Sequence, residues 1–181
     1  MNITGNGKAI IEKVSPLHTI KVGPKLWILL TPQVWSFSDG TFIAVEEFFV
    51  TDGASNWRFL WNLCPPASGA TAEGSVLHDY LYSKDCLLSI DRKEADSIYN
   101  NSMKFRGAGN LRRAAVYRGV RTFGKTSFKA CNSWEKLTRE AMYPEFWELW
   151  RIQRHWWHNK DMGKSDVEML VQAVLYYNSK L

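Results

Sequence analysis

Hydrophobic and polar positions change rhythm once along this chain. From residue 8 to residue 50 the segments KAIIEKV, KLWILLTPQVWSF and TFIAVEEFFV are rich in β-branched and aromatic residues. Such residues pack well on a pleated, half-buried surface, so the segments predict strands. VGPK, TP and SDG interrupt them with turn chemistry, and SDGT suits a hairpin joining the second run to the third. Pro32 falls inside the second run. It has no N–H to give to a ladder, so that strand is expected to bulge or to lie at an edge.

VTDGASNWRFLWNLCPPASGATAEG is irregular, and from Ser75 the spacing becomes helical. One helix is expected over roughly 72–83. A second lies in SIDRKEADSIYNNSMKFRG, with Ser89 or Asp91 as N-cap and Gly107 near its end. A third is NLRRAAVYRGVRTFG, with Asn110 as cap and Gly124 as stop. SWEKLTREAMYPEFWELWRIQRHWWHNK predicts one or two more around Pro144, and SDVEMLVQAVLYYNSK a last one capped by Ser165. Strands followed by helices define an α+β fold. Its parts are an N-terminal antiparallel β portion (1–50), a helical core (51–124) and a Trp-rich helical extension (125–181), in one compact unit.

Composition narrows the function classes. Of 181 residues, 45% are hydrophobic and 23% charged, which is globular rather than disordered. The net charge of +5 favours anionic surfaces modestly, and no basic run marks a specific nucleic-acid partner. Cys64, Cys86 and Cys131 are odd in number and widely spaced without a CxxC pair, so neither a disulfide framework nor a zinc site is expected. MNITGNGKAIIEKVSP lacks the features of a secretory signal and no segment has the length of a membrane span. A reducing cytoplasm is the expected setting. Trp134, Trp147, Trp150, Trp156 and Trp157 cluster near the C-terminus, as the packed face of a helix or as an aromatic surface for a partner or a lipid interface.

The chemistry concentrates in SVLHDYLYSKD. On a helix His78 and Tyr82 share a face, and Asp79 points about 100° away. Asp96 lies on the packed flank of the next helix, with Tyr99, Asn100 and Met103 at helical spacing, while Lys93, Glu94, Ser97, Asn101 and Lys104 form the polar side. A buried carboxylate needs a partner. Asp96 can accept the Nδ1 proton of His78, fix the tautomer and leave Nε2 as a general base. Asp52, in TDGAS, and Asp79 are hard oxygen ligands that with loop carbonyls and waters suit calcium. A His–Asp dyad beside a hard cation suits water attack on an ester. Each residue also has a bland reading. The His78–Asp96 pair can be a structural hydrogen bond, Asp79 a cap or a surface ion pair with Arg58 or a helix arginine, and Asp52 an Asx-turn. Arg112, Arg113, Arg118 and Arg121 read as a solvated face, with anion contact as the alternative. His155 and His158 lack a third metal ligand.

The order D-G, H-D-x-x-Y, D resembles the secreted phospholipase A2 superfamily, especially its bacterial and fungal branch, over about residues 50–124. The resemblance implies an antiparallel helix pair with His78 as catalytic base, Asp96 as its orienting carboxylate and Tyr82 as the family's tyrosine. It implies calcium held by Asp52, the Gly53 carbonyl and Asp79. The disulfide of that branch has no counterpart, because Ala54 and Ser75 stand at its two positions. A second resemblance is to an uncharacterised family encoded by phages and prophages, carried by TDGAS, RFLW, PP, LHDYLY, EADSIY and YRGVRTFG in that order. It implies a viral gene product, placed in the host cytoplasm or the virion. Two functions follow as expectations. One is a calcium-dependent phospholipid esterase working on a membrane surface. The other is a non-enzymatic virion or host-interaction protein whose partners are phage or host proteins.

Overall fold

The structure is a computed structural model and describes residues 9–13, 16–23, 26–53, 71–132 and 136. The RFLW turn and Pro pair, the helices expected around Pro144 and after Ser165, the Trp cluster, Cys64, His155 and His158 lie outside the described residues. Among the described residues six strands precede three helices: β1 (Ile10–Lys13), β2 (Thr19–Gly23), β3 (Leu26–Leu29), β4 (Gln33–Phe37), β5 (Phe42–Val45), β6 (Val50–Thr51), α1 (Ala72–Tyr82), α2 (Arg92–Phe105) and α3 (Asn110–Phe123). This is the expected α+β arrangement.

All pairings are antiparallel, in two three-stranded sheets ordered β1–β4–β5 and β2–β3–β6. The second apolar run is therefore not one bulged strand. It turns a corner at residues 30–32, and its halves, β3 and β4, enter different sheets. Pro32 cannot continue a ladder, so the chain changes partners there. The hairpin after β4 forms as its sequence predicts. Gly40 takes φ 78°, and Asp39 Oδ1 accepts from both the Thr41 N–H (3.1 Å) and its hydroxyl (2.6 Å).

One core joins sheets and helices. Leu29, Trp35, Phe37, Ile43 and Val45 from the strands pack with Val76, Leu77, Leu81 and Ile98 from α1 and α2. A smaller cluster of Tyr99, Met103, Ala108 and Val116, with Val120 against it, holds α2 to α3.

The ends of α2 are set by local chemistry. Of the two candidate caps, it is Asp91 that accepts the Glu94 N–H (2.8 Å). At the other end Gly107 adopts φ 80°, the Gly107 N–H donates to the Lys104 carbonyl and the Ala108 N–H to the Met103 carbonyl. This double bond pattern, with Ala108 packed near Met103, is a Schellman stop. At α3, Asn110 is the first helical residue and Gly109 occupies the cap position.

Helix α1 is buried on nearly every side, from Ala72 through Tyr82 with only Glu73 and Tyr80 partly exposed. It packs antiparallel to α2: Gly74 faces Ser102 and Tyr99, His78 faces Tyr99 and Asp96, and Tyr82 reaches Asp96. Gly74 permits this approach, since a Cβ there would run into Ser102 Oγ and crowd the Tyr99 ring. Alanine ordinarily strengthens a helix by about 1 kcal/mol over glycine. Gly74→Ala is expected instead to destabilise the protein by about 1–3 kcal/mol, the usual cost of overpacking. Chemical denaturation of Gly74→Ala, alone and combined with Ser102→Ala, checks this. The second change should restore part of the loss.

Candidate functional site

The α1–α2 pairing brings His78 and Asp96 together. Their contact is 2.9 Å, from His78 Nε2 to Asp96 Oδ1. This corrects the expected orientation: Nε2, not Nδ1, faces the acid. The reason is tertiary. The ring lies stacked on Tyr99 (centroids 4.6 Å apart, planes at 27°) and against Tyr82 (4.1 Å), and these two rings fix its tilt. Nδ1 makes no hydrogen bond among the described residues.

Asp96 has no exposure to solvent, yet all its donors come from side chains of α1 and α3. Tyr82 Oη donates to Oδ1 (2.6 Å) and Arg121 Nη1 to Oδ2 (2.9 Å), in addition to the His78 bond. Burial alone would raise the Asp96 pKa. The bonds from His78, Tyr82 and Arg121 outweigh it and hold the carboxyl below its ordinary value. An ionised Asp96 can only accept, so the proton of the contact sits on Nε2 and the Nδ1 lone pair is available. Burial lowers the His78 pKa. The Asp96 bond and charge oppose that shift, Lys136 adds to it and Asp52 subtracts from it. Tyr82 is raised, first by burial and then by its bond to Asp96.

Arg121 thus leaves the solvated face on which its spacing placed it. Arg92, at the start of α2, fixes the end of α3 by donating to the carbonyls of Val120 (3.3 Å) and Arg121 (2.9 Å). A buried anion within reach draws in the one arginine of the four that the last turn of α3 presents to it.

Asp79 is buried beside the dyad rather than exposed in a surface pair. Its Oδ2 accepts from the Thr51 hydroxyl (2.5 Å) and the Gly53 N–H (3.0 Å). The Gly53 N–H also donates to Thr51 Oγ1 (2.9 Å), a geometry reached with φ 59° at Gly53. What Gly53 presents to Asp79 is its amide. Lys136 Nζ completes the cluster, 2.8 Å from Asp52 Oδ1 and 3.8 Å from Asp79 Oδ2. Burial pushes the Asp79 carboxyl up to about 7; Lys136 pulls it down and Asp52 pushes it further up. Burial would lower the Lys136 pKa, but the charges of Asp79 and Asp52 outweigh it and keep the ammonium protonated.

The structure therefore brings His78, Tyr82 and Asp96 into one hydrogen-bonded group, and Asp52, Gly53 and Asp79 into another. Arg121, Lys136, Thr51 and Tyr99 were not singled out for the site by sequence. Lys136 stands 57 positions after Asp79, too far along the chain for any spacing rule to link them. Among the described residues no group of three or more His, Cys, Asp or Glu is placed to hold a metal ion. None of their helices is long and apolar enough to cross a membrane. Cys86 and Cys131 are free thiols.

These features define the class: an α+β protein whose antiparallel α1–α2 pair buries a His–Asp contact, joined by Tyr82 and, from α3, by the partly exposed Arg121. Residues 27–120, just over half the chain, match the model of a family described as "Protein of unknown function (DUF1353)", and the chain belongs to that family. The match spans Asp52, Gly53, His78, Asp79 and Asp96, whereas Arg121 and Lys136 lie beyond it. Neither a search of the curated proteins nor one of the solved structures returned a match.

The pKa directions give a sign that can be checked. His78 should stay neutral down to a pH below the ordinary imidazole value of about 6.5, and its stabilising contribution, complete above about 6.5, should be lost progressively as pH falls from there through that lowered pKa. NMR titration of the His78 ring resonances measures it. In Asp96→Asn, which removes the charge that opposes burial, the midpoint should move lower still.

Proposed function

We propose that this chain is a phage-encoded ester hydrolase with a phospholipase A2-like His–Asp site. The observation that carries the reading is the His78 ring, bonded through Nε2 to a multiply held carboxylate while no described residue takes up the Nδ1 lone pair. Nδ1 takes a proton from water as the oxygen attacks the ester carbonyl carbon. Asp96 steadies the imidazolium that forms. When the tetrahedral intermediate collapses, the ester C–O bond breaks, and the proton passes from Nδ1 to the leaving alkoxide. A phospholipid would give a free fatty acid and a lysophospholipid. Tyr82 and Arg121 act through Asp96, as positioning residues. The net charge of +5 favours docking on an anionic membrane. The phage origin is supported by the ordered run of sequence blocks, and with it a place in the host cytoplasm or the virion.

Calcium at Asp52, the Gly53 carbonyl and Asp79 does not fit the arrangement as it stands. Asp79 Oδ2 already receives two hydrogen-bond donors, the Asp52 and Asp79 side chains are hydrogen-bonded to each other, and the Lys136 ammonium stands 2.8 Å from one and 3.8 Å from the other. No step is routed through a metal.

The same saturation favours a second reading. Asp79 and Asp96 tie four segments of the chain together, as a non-enzymatic virion or host-interaction protein would require of its scaffold. Hydrolysis of anionic phospholipid vesicles, followed by fatty-acid release, separates the two. His78→Asn should lose about 10²–10⁴-fold of the rate, the range that a general base contributes, measured well below its melting temperature, which should fall because Asp96 loses a donor. Absence of release by the native chain, with and without calcium, would leave the scaffold reading.

A further inference from the structure

Two acids and one base that no spacing rule connects meet where β6 and α1 adjoin. The side chains of Lys136, Asp52 and Asp79 are 17%, 16% and 12% exposed, so their charges are largely withdrawn from water and must compensate one another. Calcium takes six to eight oxygen ligands at about 2.3–2.6 Å. Here the Thr51 hydroxyl and the Gly53 amide both point hydrogens at Asp79 Oδ2, and Lys136 Nζ is in direct contact with Asp52 Oδ1. A hydrogen bond between the Asp52 and Asp79 side chains, these donors and the ammonium together occupy the oxygens that a hard cation would need.

We propose that the Lys136 ammonium is the resident cation of the Asp52–Asp79 pair, standing within the chain where a calcium site would hold its ion, so that this protein needs no metal there. A compact ammonium with three N–H donors suits the role. It can serve two carboxylates from one point without the planar fork that a guanidinium imposes. Covalent attachment to the fold also gives the ammonium a local concentration that a free ion must match. The catalytic consequence rests on the hydrolase reading above: the positive charge beside His78 is then built in, and turnover survives chelation.

The test uses the full chain stripped with chelator. Native protein and Lys136→Arg should show no binding heat on calorimetric titration with calcium chloride, and no shift in melting temperature at millimolar calcium. Lys136→Met, of similar length but uncharged, should melt lower in chelator and recover in calcium but not in sodium chloride of equal ionic strength. Stoichiometric calcium binding by the native chain, abolished in Asp79→Asn, would overturn the proposal. So would a Lys136→Met protein that melts like the native one or that calcium leaves unmoved. Should Lys136→Met fail to fold in both conditions, the native titration decides alone. Fatty-acid release in chelator supports the catalytic consequence. If no lipid is cleaved under any condition, the hydrolase reading falls, while the calcium titrations still judge the role of Lys136.

Discussion

A single carboxylate, Asp96, sets the geometry of the helical half of this protein. It lies entirely out of water and would not stay ionised there without donors. His78 and Tyr82, one turn apart on α1, supply two, and Arg121 near the end of α3 supplies the third. A hydrogen bond to a charged group is typically worth about 1.5–3 kcal/mol. The interaction fixes the register of α1 on α2 and the rotation of α3 at the same time. Gly74 allows the close contact at the other end of the α1–α2 pair, so the two helices are pinned by a polar bond at one end and by a missing side chain at the other.

Asp79 does the corresponding work toward the sheets. Adjacent in sequence to His78, it points away from the dyad and takes up Thr51 of β6 and the amide of Gly53. The β portion and α1 are joined there by hydrogen bonds, in addition to the shared apolar core. Lys136 then offsets the negative charge that two neighbouring acids bring together. At an effective dielectric near 20, unit charges about 4 Å apart interact by about 4 kcal/mol. At that magnitude the choice between an ammonium and a divalent ion matters for the fold as well as for chemistry.

The placement of chemistry follows from this division. Two faces of one buried helix carry two hydrogen-bonded groups, so the imidazole is held through Nε2 by Asp96 and meets no other hydrogen-bond partner among the described residues.

Local sequence determined a good deal. Runs of β-branched and aromatic residues located β1, β3, β4 and β5 but not β2, which ends inside the VGPK read as turn; SDGT located the hairpin, Ser89 or Asp91 and Gly107 the limits of α2, and i, i+4 spacing the shared face of His78 and Tyr82. These are short-range effects, fixed by backbone sterics and by neighbours within a turn. The pairing of His78 with Asp96 was also legible, because an acid on an apolar helix flank demands a partner. Tertiary structure alone decided the rest. The corner at Pro32 sends β3 and β4 to different sheets, a matter of which strands are near enough to pair. The placement of α1 against α2, with the ring stacked on Tyr99 and tilted against Tyr82, brings Nε2 rather than Nδ1 to Asp96. Arg121 and Lys136 reached buried anions from segments whose own patterns mark them only as polar. A charge has no periodicity by which to announce its partner; it pairs with whatever the packed apolar core brings within a few ångströms.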